Sequence, residues 1–222
     1  MTETAPGIDA IMTTAPVIPV VTISDPDQAA PLAAALVRGG LPVIEITLRT
    51  PAGIEAISRI RREVPDAIVG AGTVLNARDV VAAREAGAAF GVSPGLTPAL
   101  IAALADHGVD HGKRWPFLPG IATASEAMAA MEAGYDRVKV FPATAAGGIG
   151  LIKALSAPFP QLRFCPTGGV TAETAVDFLS VPAILCVGGS WLTPKDAVDT
   201  NDWDRIEALA RTAAALEGNA TG

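Results

Sequence analysis

Two short apolar segments carry charged side chains at a spacing that could do chemistry. In 41–49 (LPVIEITLR) the even positions Pro42, Ile44, Ile46 and Leu48 are apolar, whereas the odd series Leu41, Val43, Glu45, Thr47 and Arg49 turns polar toward its C-terminal end. Successive side chains on a strand face opposite sides, so Glu45 and Arg49 share one face. The segment 137–142 (RVKVFP) repeats the arrangement, with Val138 and Val140 on one side and Arg137, Lys139 and Phe141 on the other. Of the four lysines, Lys113 falls in a polar stretch, Lys153 in a helical one and Lys195 behind Pro194; Lys139 alone lies inside an apolar strand. Burial favours the neutral form of an amine over the charged one, and a neutral amine is a nucleophile that can condense with a carbonyl substrate. A carboxylate such as Glu45 could move the protons of that reaction. The same two residues also suit a structural ion pair, because buried ion-pair networks occur in folds without catalysis. Glu45 by itself suits a solvated strand end.

Glycine pairs mark a second feature. Thr167-Gly168-Gly169 and Gly188-Gly189-Ser190 each follow a short β-branched or apolar run. Glycine lets backbone N–H groups approach an anion closely, and two such turns at neighbouring strand ends suit a phosphate; plain tight turns would use them too. The remaining candidates are weaker. His107 and His111 stand four apart in a polar stretch with no cysteine or glutamate to complete a zinc set, so no metal is expected. Cys165 has no histidine after it in the chain to activate it and reads as packing. No glycine fingerprint for a dinucleotide or nucleotide opens a helix in the right context, so no cofactor is expected.

The elements that must position these residues recur regularly. Eight apolar runs, at 16–23, 41–49, 67–74, 90–95, 117–121, 137–142, 163–169 and 183–190, start 20 to 27 residues apart. Alanine-rich segments with helical spacing fill the gaps, among them 26–38, 51–63, 77–86, 97–107 and 123–133. Strands alternating with helices imply βαβ units and a parallel sheet. Asp25-Pro26, Thr50-Pro51 and Thr97-Pro98 read as a cap followed by proline in the first helical turn, and Thr123 with Glu126 as a capping box. Gly39-Gly40, Gly87 and Gly134 fall where helix C-terminal turns belong. Eight units predict a (β/α)8 TIM barrel, one domain over 1–222, in preference to an open doubly wound sheet, because eight units can close without edges. A short leading helix within 1–14 would cover the barrel floor, and 106–116 reads as an irregular polar loop. In that frame Glu45, Arg49, Thr73 and Lys139 gather at the C-terminal mouth, where barrel enzymes place their chemistry.

Composition narrows the partners. Half of the 222 residues are hydrophobic and 18% are charged, too apolar for a disordered chain. A net charge of −7 argues against nucleic acid, whose backbone needs a basic field. No apolar run is long enough to span a membrane, and the first residues show no secretory pattern. Cys165 and Cys186 as the only cysteines suit a reducing, cytoplasmic setting better than a disulfide scaffold. A small-molecule substrate is left as the expected partner.

The same residues carry a resemblance. Glu45-Ile-Thr-Leu-Arg49-Thr50, Gly70-Ala-Gly-Thr73-Val-Leu, Ser93-Pro94-Gly95-Leu96-Thr97, Lys139-Val-Phe141-Pro142-Ala143, Arg163-Phe-Cys-Pro-Thr167-Gly168-Gly169 and Gly188-Gly189-Ser190-Trp191 together resemble the 2-keto-3-deoxy-6-phosphogluconate (KDPG) aldolase family, in order and over nearly the whole chain. The resemblance implies a class I, metal-free aldolase on a (β/α)8 barrel, a homotrimer serving the Entner–Doudoroff pathway, with 4-hydroxy-2-oxoglutarate (KHG) as a further substrate. It implies Lys139 as the Schiff-base lysine and Glu45 as the proton shuttle. Arg49 and Thr73 would hold the pyruvate carboxylate, Pro94 and Phe141 would wall the pyruvyl group, and Thr167, Gly168, Gly169, Gly188, Gly189 and Ser190 would line the phosphate end. Val140 and Thr144 stand where an aromatic and a glutamate occur in other members. The alternatives are an aldolase for the galactonate epimer, a phosphosugar isomerase or epimerase on the same barrel, and a phosphosugar sensor without turnover.

Overall fold

The computed structural model describes residues 7–106 and 115–217. Most of the polar stretch 106–116, with His107, His111 and Lys113, lies outside the described residues. Among the described residues nine strands pair in parallel: β1 (Val17–Val21), β2 (Val43–Thr47), β3 (Ile68–Gly72), β4 (Gly91–Val92), β5 (Phe117–Leu118), β6 (Gly120–Ile121), β7 (Arg137–Val140), β8 (Arg163–Pro166) and β9 (Val187–Gly189). They form a six-stranded sheet in the order β5-β4-β3-β2-β1-β9 and a three-stranded sheet in the order β6-β7-β8. The result is a parallel-strand α/β fold with a curled sheet.

The sequence predicts a single strand at 117–121, and the structure divides it at Pro119. Proline has no N–H to give to a ladder. Its carbonyl still accepts from Lys139 N at 2.8 Å, so the strand's register with β7 is kept across the gap. On the far side, single parallel bridges join Phe164 to Ile184 and Thr167 to Gly188 between the β8 and β9 segments.

The helices are α1 (Ile8–Thr13), α2 (Ala29–Arg38), α3 (Gly53–Glu63), α4 (Ala77–Glu85), α5 (Pro98–Asp106), α6 (Ala124–Glu132), α7 (Gly148–Ser156), α8 (Ala172–Leu179), α9 (Lys195–Asp199) and α10 (Trp203–Ala214). Several start where the caps predict. The hydroxyls of Thr97 and Thr123 each accept an N–H three residues on, from Leu100 and Glu126, both at 3.2 Å. Two caps differ. Glu126 returns its carboxylate to Ala122 N at 2.6 Å, one residue before the cap, so the predicted box is displaced by one residue. Thr50 caps nothing: its hydroxyl donates to the Ile23 carbonyl, and α3 begins only at Gly53. Gly40, Gly87 and Gly134 turn out of their helices with φ of 91°, 87° and 85°, a left-handed conformation that costs glycine little.

The alternating faces sort the core into two groups. The larger lies between strands and helices and includes Ile44, Ile46, Val138, Val140, Phe164 and Val187. The smaller lies on the other face, where Ile18, Val43, Phe90, Val92, Leu118, Cys165 and Cys186 pack with Ile11 and Met12 of α1. The leading helix therefore covers the strands' N-terminal end, and its Asp9 carboxylate accepts from Arg137 Nε at 2.5 Å. Glu45 and Lys139 follow Val43 and Arg137 on this same face, one step nearer the C-terminal ends.

Candidate active site

Lys139 enters the site because its strand neighbours are committed elsewhere. Val138 and Val140 are fully buried toward the helices, which turns the lysine to the inner face. Register places it between Gly120 of β6 and Cys165 of β8. Glu45 arrives in the same way, between Val20 of β1 and Gly70 of β3, with Ile44 and Ile46 facing the helices. The two side chains meet: Lys139 Nζ donates to Glu45 Oε1 at 3.2 Å and lies 3.5 Å from Oε2. Each side chain is only 5% exposed. Nζ also stands 5.3 Å from the centroid of the Phe141 ring, within cation–π range. An amine and a carboxylate at this separation, shielded from water, can pass one proton between them as the amine becomes a nucleophile.

Missing side chains make room for this pair. A Cβ on Gly120 would fall onto the Pro94 carbonyl group and within 2.6 Å of Gly95 N, so glycine there lets the Pro94 turn lie against the strand beside Lys139. Ser93, fully buried, accepts from Gly120 N at 3.4 Å and ties the turn down. Gly72 leaves space in the same way on the Glu45 side. Thr73 then takes φ of 61°, an uncommon conformation for a β-branched residue that costs on the order of 1–3 kcal/mol. The bond from Val74 N to Val92 O at 3.0 Å fixes the chain immediately after it.

The opposite wall is built from the ends of β7, β8 and β9. Thr167 N donates to Val140 O at 2.9 Å and Thr144 N to Gly168 O at 3.1 Å, which draws the two strand ends together. Gly168 and Gly169 have φ of 95° and 78°, so a side chain at either would be strained. A Cβ on Gly168 would meet the Phe141 ring at 3.1 Å, and one on Gly188 would lie 2.8 Å from Thr167 Cγ2. The structure thus gathers Phe141, Thr167, Gly168 and Gly188 around one corner, with Gly189 adjacent and buried. Arg49 and Ser190 are exposed on the turns after β2 and β9, and no hydrogen bond links either to Lys139 or Glu45.

Beneath Lys139 lie two free, buried thiols. Cys165 is held below its ordinary range by its hydrogen bond with Cys186 and, against burial, by the facing charge of Lys139. Cys186 is pushed well up by the same bond and by burial. Together they fill the layer under the lysine, in keeping with packing.

Some site residues are not visible from residue type. Gly72 and Gly120 matter through what they leave empty; the sequence marks them by the inward parity of their strands and, for Gly72, by its place between Gly70 and Thr73 in a motif. Thr47 is another. It lies two residues beyond Glu45 on the same face, fully buried, and its hydroxyl pairs with that of Thr22 at 2.9 Å. The polar turn of the odd series in 41–49 already contained that signal.

Comparison with known proteins points to one family. Residues 8–209 match a family model described as KDPG and KHG aldolase. The KHG/KDPG aldolase of Escherichia coli K12 is 47% identical over 205 residues, covering 92% of this chain and 93% of that one. The crystal structure of the KDPG aldolase of Zymomonas mobilis superposes with a TM-score of 0.90 at 47% identity, over 97% of this chain and all of the other. The Legionella pneumophila KDPG aldolase, crystallised with pyruvate captured as a covalent carbinolamine, gives a TM-score of 0.89 at 40% identity, covering 95% of this chain and 99% of that one.

Proposed function

Since the chain belongs to the KDPG and KHG aldolase family, we propose that it cleaves KDPG to pyruvate and glyceraldehyde 3-phosphate through an imine on Lys139. The same steps would convert 4-hydroxy-2-oxoglutarate to pyruvate and glyoxylate. The observation that carries the reading is the buried contact of Lys139 Nζ with Glu45 Oε1 at 3.2 Å, on the inner face of the sheet.

The steps follow from that contact. Glu45 takes a proton from the lysine, and the free amine attacks the C2 ketone of the substrate. Glu45 returns that proton to the carbinolamine hydroxyl, which leaves as water, and the resulting iminium draws electrons toward nitrogen. Glu45, directly or through a water, then removes the C4 hydroxyl proton, and the C3–C4 bond breaks. The aldehyde fragment departs and its bonding pair remains as the enamine of pyruvate. Proton return to C3 and hydrolysis of the imine release pyruvate and restore the amine. Arg49 offers a planar fork to the carboxylate, and Thr73 a hydroxyl. Pro94 and Phe141 flank the three-carbon unit. Thr167, Gly168, Gly169, Gly188, Gly189 and Ser190 receive the phosphate, with glycine turns that let backbone amides approach it.

Three wider features belong to the same proposal. The strands close into a (β/α)8 barrel of one domain; the continuity across Pro119 and the bridges at Phe164–Ile184 and Thr167–Gly188 support closure. The chain acts as a homotrimer, a reading that rests on the family resemblance and that light scattering in solution tests. It works in the cytoplasm, which the two free thiols favour. Among the described residues no helix is long and apolar enough to cross a membrane.

A coupled assay of pyruvate release tests the function. KDPG should yield one pyruvate per triose phosphate, faster than its galactonate epimer. Absence of pyruvate from KDPG overturns the reading, and faster cleavage of the epimer reassigns the substrate.

A further inference from the structure

We propose that Gly72 is a positioning residue for the reaction: its missing side chain is the slot in which the Glu45 carboxylate rests within reach of Lys139. The proposal rests on the aldolase reading for its kinetic consequence and on geometry alone for its steric one. Register pairs Glu45 with Gly70 and Thr47 with Gly72, so Gly72 lies diagonally across from Glu45 on the same inner face. A Cβ on Gly72 would lie 2.6 Å from Glu45 Cγ and 2.7 Å from Cδ, and closer still to Oε1. The glutamate side chain therefore lies flat against the Gly72 backbone.

The reason for glycine here is space and not backbone freedom. Gly72 is not among the residues with positive φ. Alanine would suit the strand conformation, and its whole cost would fall on the carboxylate. That carboxylate has few other places to go. Its side chain is 5% exposed, with Val20 across on one side and Phe90 filling the space over Gly70 on the other. Relief of the clash must swing the acid away from its resting place and open the 3.2 Å contact with Lys139. A misplacement of roughly 1 Å in a reacting group can cost about 10²-fold in rate. The glycine at the end of β3 thus fixes where the proton shuttle stands, although it carries no functional group.

A double-mutant cycle tests this. Gly72→Ala should lower kcat for KDPG cleavage by about 10²-fold with little change in KM. In a Glu45→Ala background, where the obstructed atoms are gone, Gly72→Ala should change kcat by less than about twofold. Melting should follow the same pattern: the double variant should melt no lower than Glu45→Ala alone, because the new methyl fills vacated space. A rate loss by the same factor in both backgrounds, or a wild-type kcat for Gly72→Ala, overturns the proposal. Should Gly72→Ala alone not fold while Glu45→Ala does, a folded double variant supports the slot and an unfolded one overturns it. Failure of the wild-type protein to cleave KDPG would remove the aldolase reading, and the melting cycle would still decide whether Gly72 and Glu45 compete for the same space.

Discussion

Lys139 and Glu45 are 94 residues apart in the chain, yet Nζ stands 3.2 Å from Oε1 inside the curled sheet. Neither strand could hold its charge alone. Removing one partner of a buried pair leaves an uncompensated charge and is commonly costly by about 3–5 kcal/mol, so each residue depends on the fold delivering the other. The pair therefore links architecture to chemistry: the strand order that brings β2 and β7 to one interior also creates an amine with a proton acceptor beside it.

Glu45→Gln keeps the size of the side chain and removes its capacity to shuttle protons. Turnover of KDPG should fall by roughly 10²–10⁴-fold. Pyruvate binding, followed by ligand-induced melting, should persist. An unchanged turnover number would show that another group moves the proton.

Ser190 is exposed beside the two buried glycines Gly188 and Gly189. Ser190→Ala should raise KM for KDPG by several-fold, the loss of about 1 kcal/mol of hydrogen bonding, and leave 4-hydroxy-2-oxoglutarate, which has no phosphate, nearly unaffected. Steady-state kinetics on both substrates decide. Equal losses on the two would place the phosphate elsewhere.

Stability should follow burial and not proximity to the site. Phe164 is fully buried between β8 and the helices, and Phe164→Ala should cost about 3–5 kcal/mol in urea unfolding. Thr123→Ala removes the cap that accepts from Glu126 N and should cost only about 1 kcal/mol. A reversed order would mean that the apolar layer between sheet and helices is not the main support.

Cys165 and Cys186 are free and buried, at 2% and 0% exposure. A disulfide-exchange reagent should therefore react with neither in the native protein and with both after denaturation. Rapid native reaction would mean that the layer under Lys139 opens readily.

How much of this was legible beforehand depended on whether a signal lay along one strand or between strands. The period-2 alternation in 41–49 and 137–142 placed Glu45 and Lys139 on one face, because the commitment of Ile44, Ile46, Val138 and Val140 to the helices is a local matter of pattern. The caps at Thr97 and Thr123 were legible for the same reason, since cap and helix are contiguous. Thr50 was not: its hydroxyl is drawn to Ile23, a partner far away in the sequence. The break at Pro119 follows from a missing donor, but it could be located only once β6 and β7 were seen in register. Gly72 stands in a motif that runs along one strand, while its use of empty space against Glu45 is a cross-strand relation. Thr73 at positive φ runs against the preference of its residue type, and no propensity argument would have put it there.

The most direct test of the central claim is reductive trapping. The protein is incubated with pyruvate, reduced with borohydride, digested and mapped by mass spectrometry. The account predicts a single adduct, on Lys139, with parallel loss of KDPG cleavage, and no adduct in Lys139→Arg. An adduct on a different lysine, or full cleavage activity in Lys139→Arg, would contradict it.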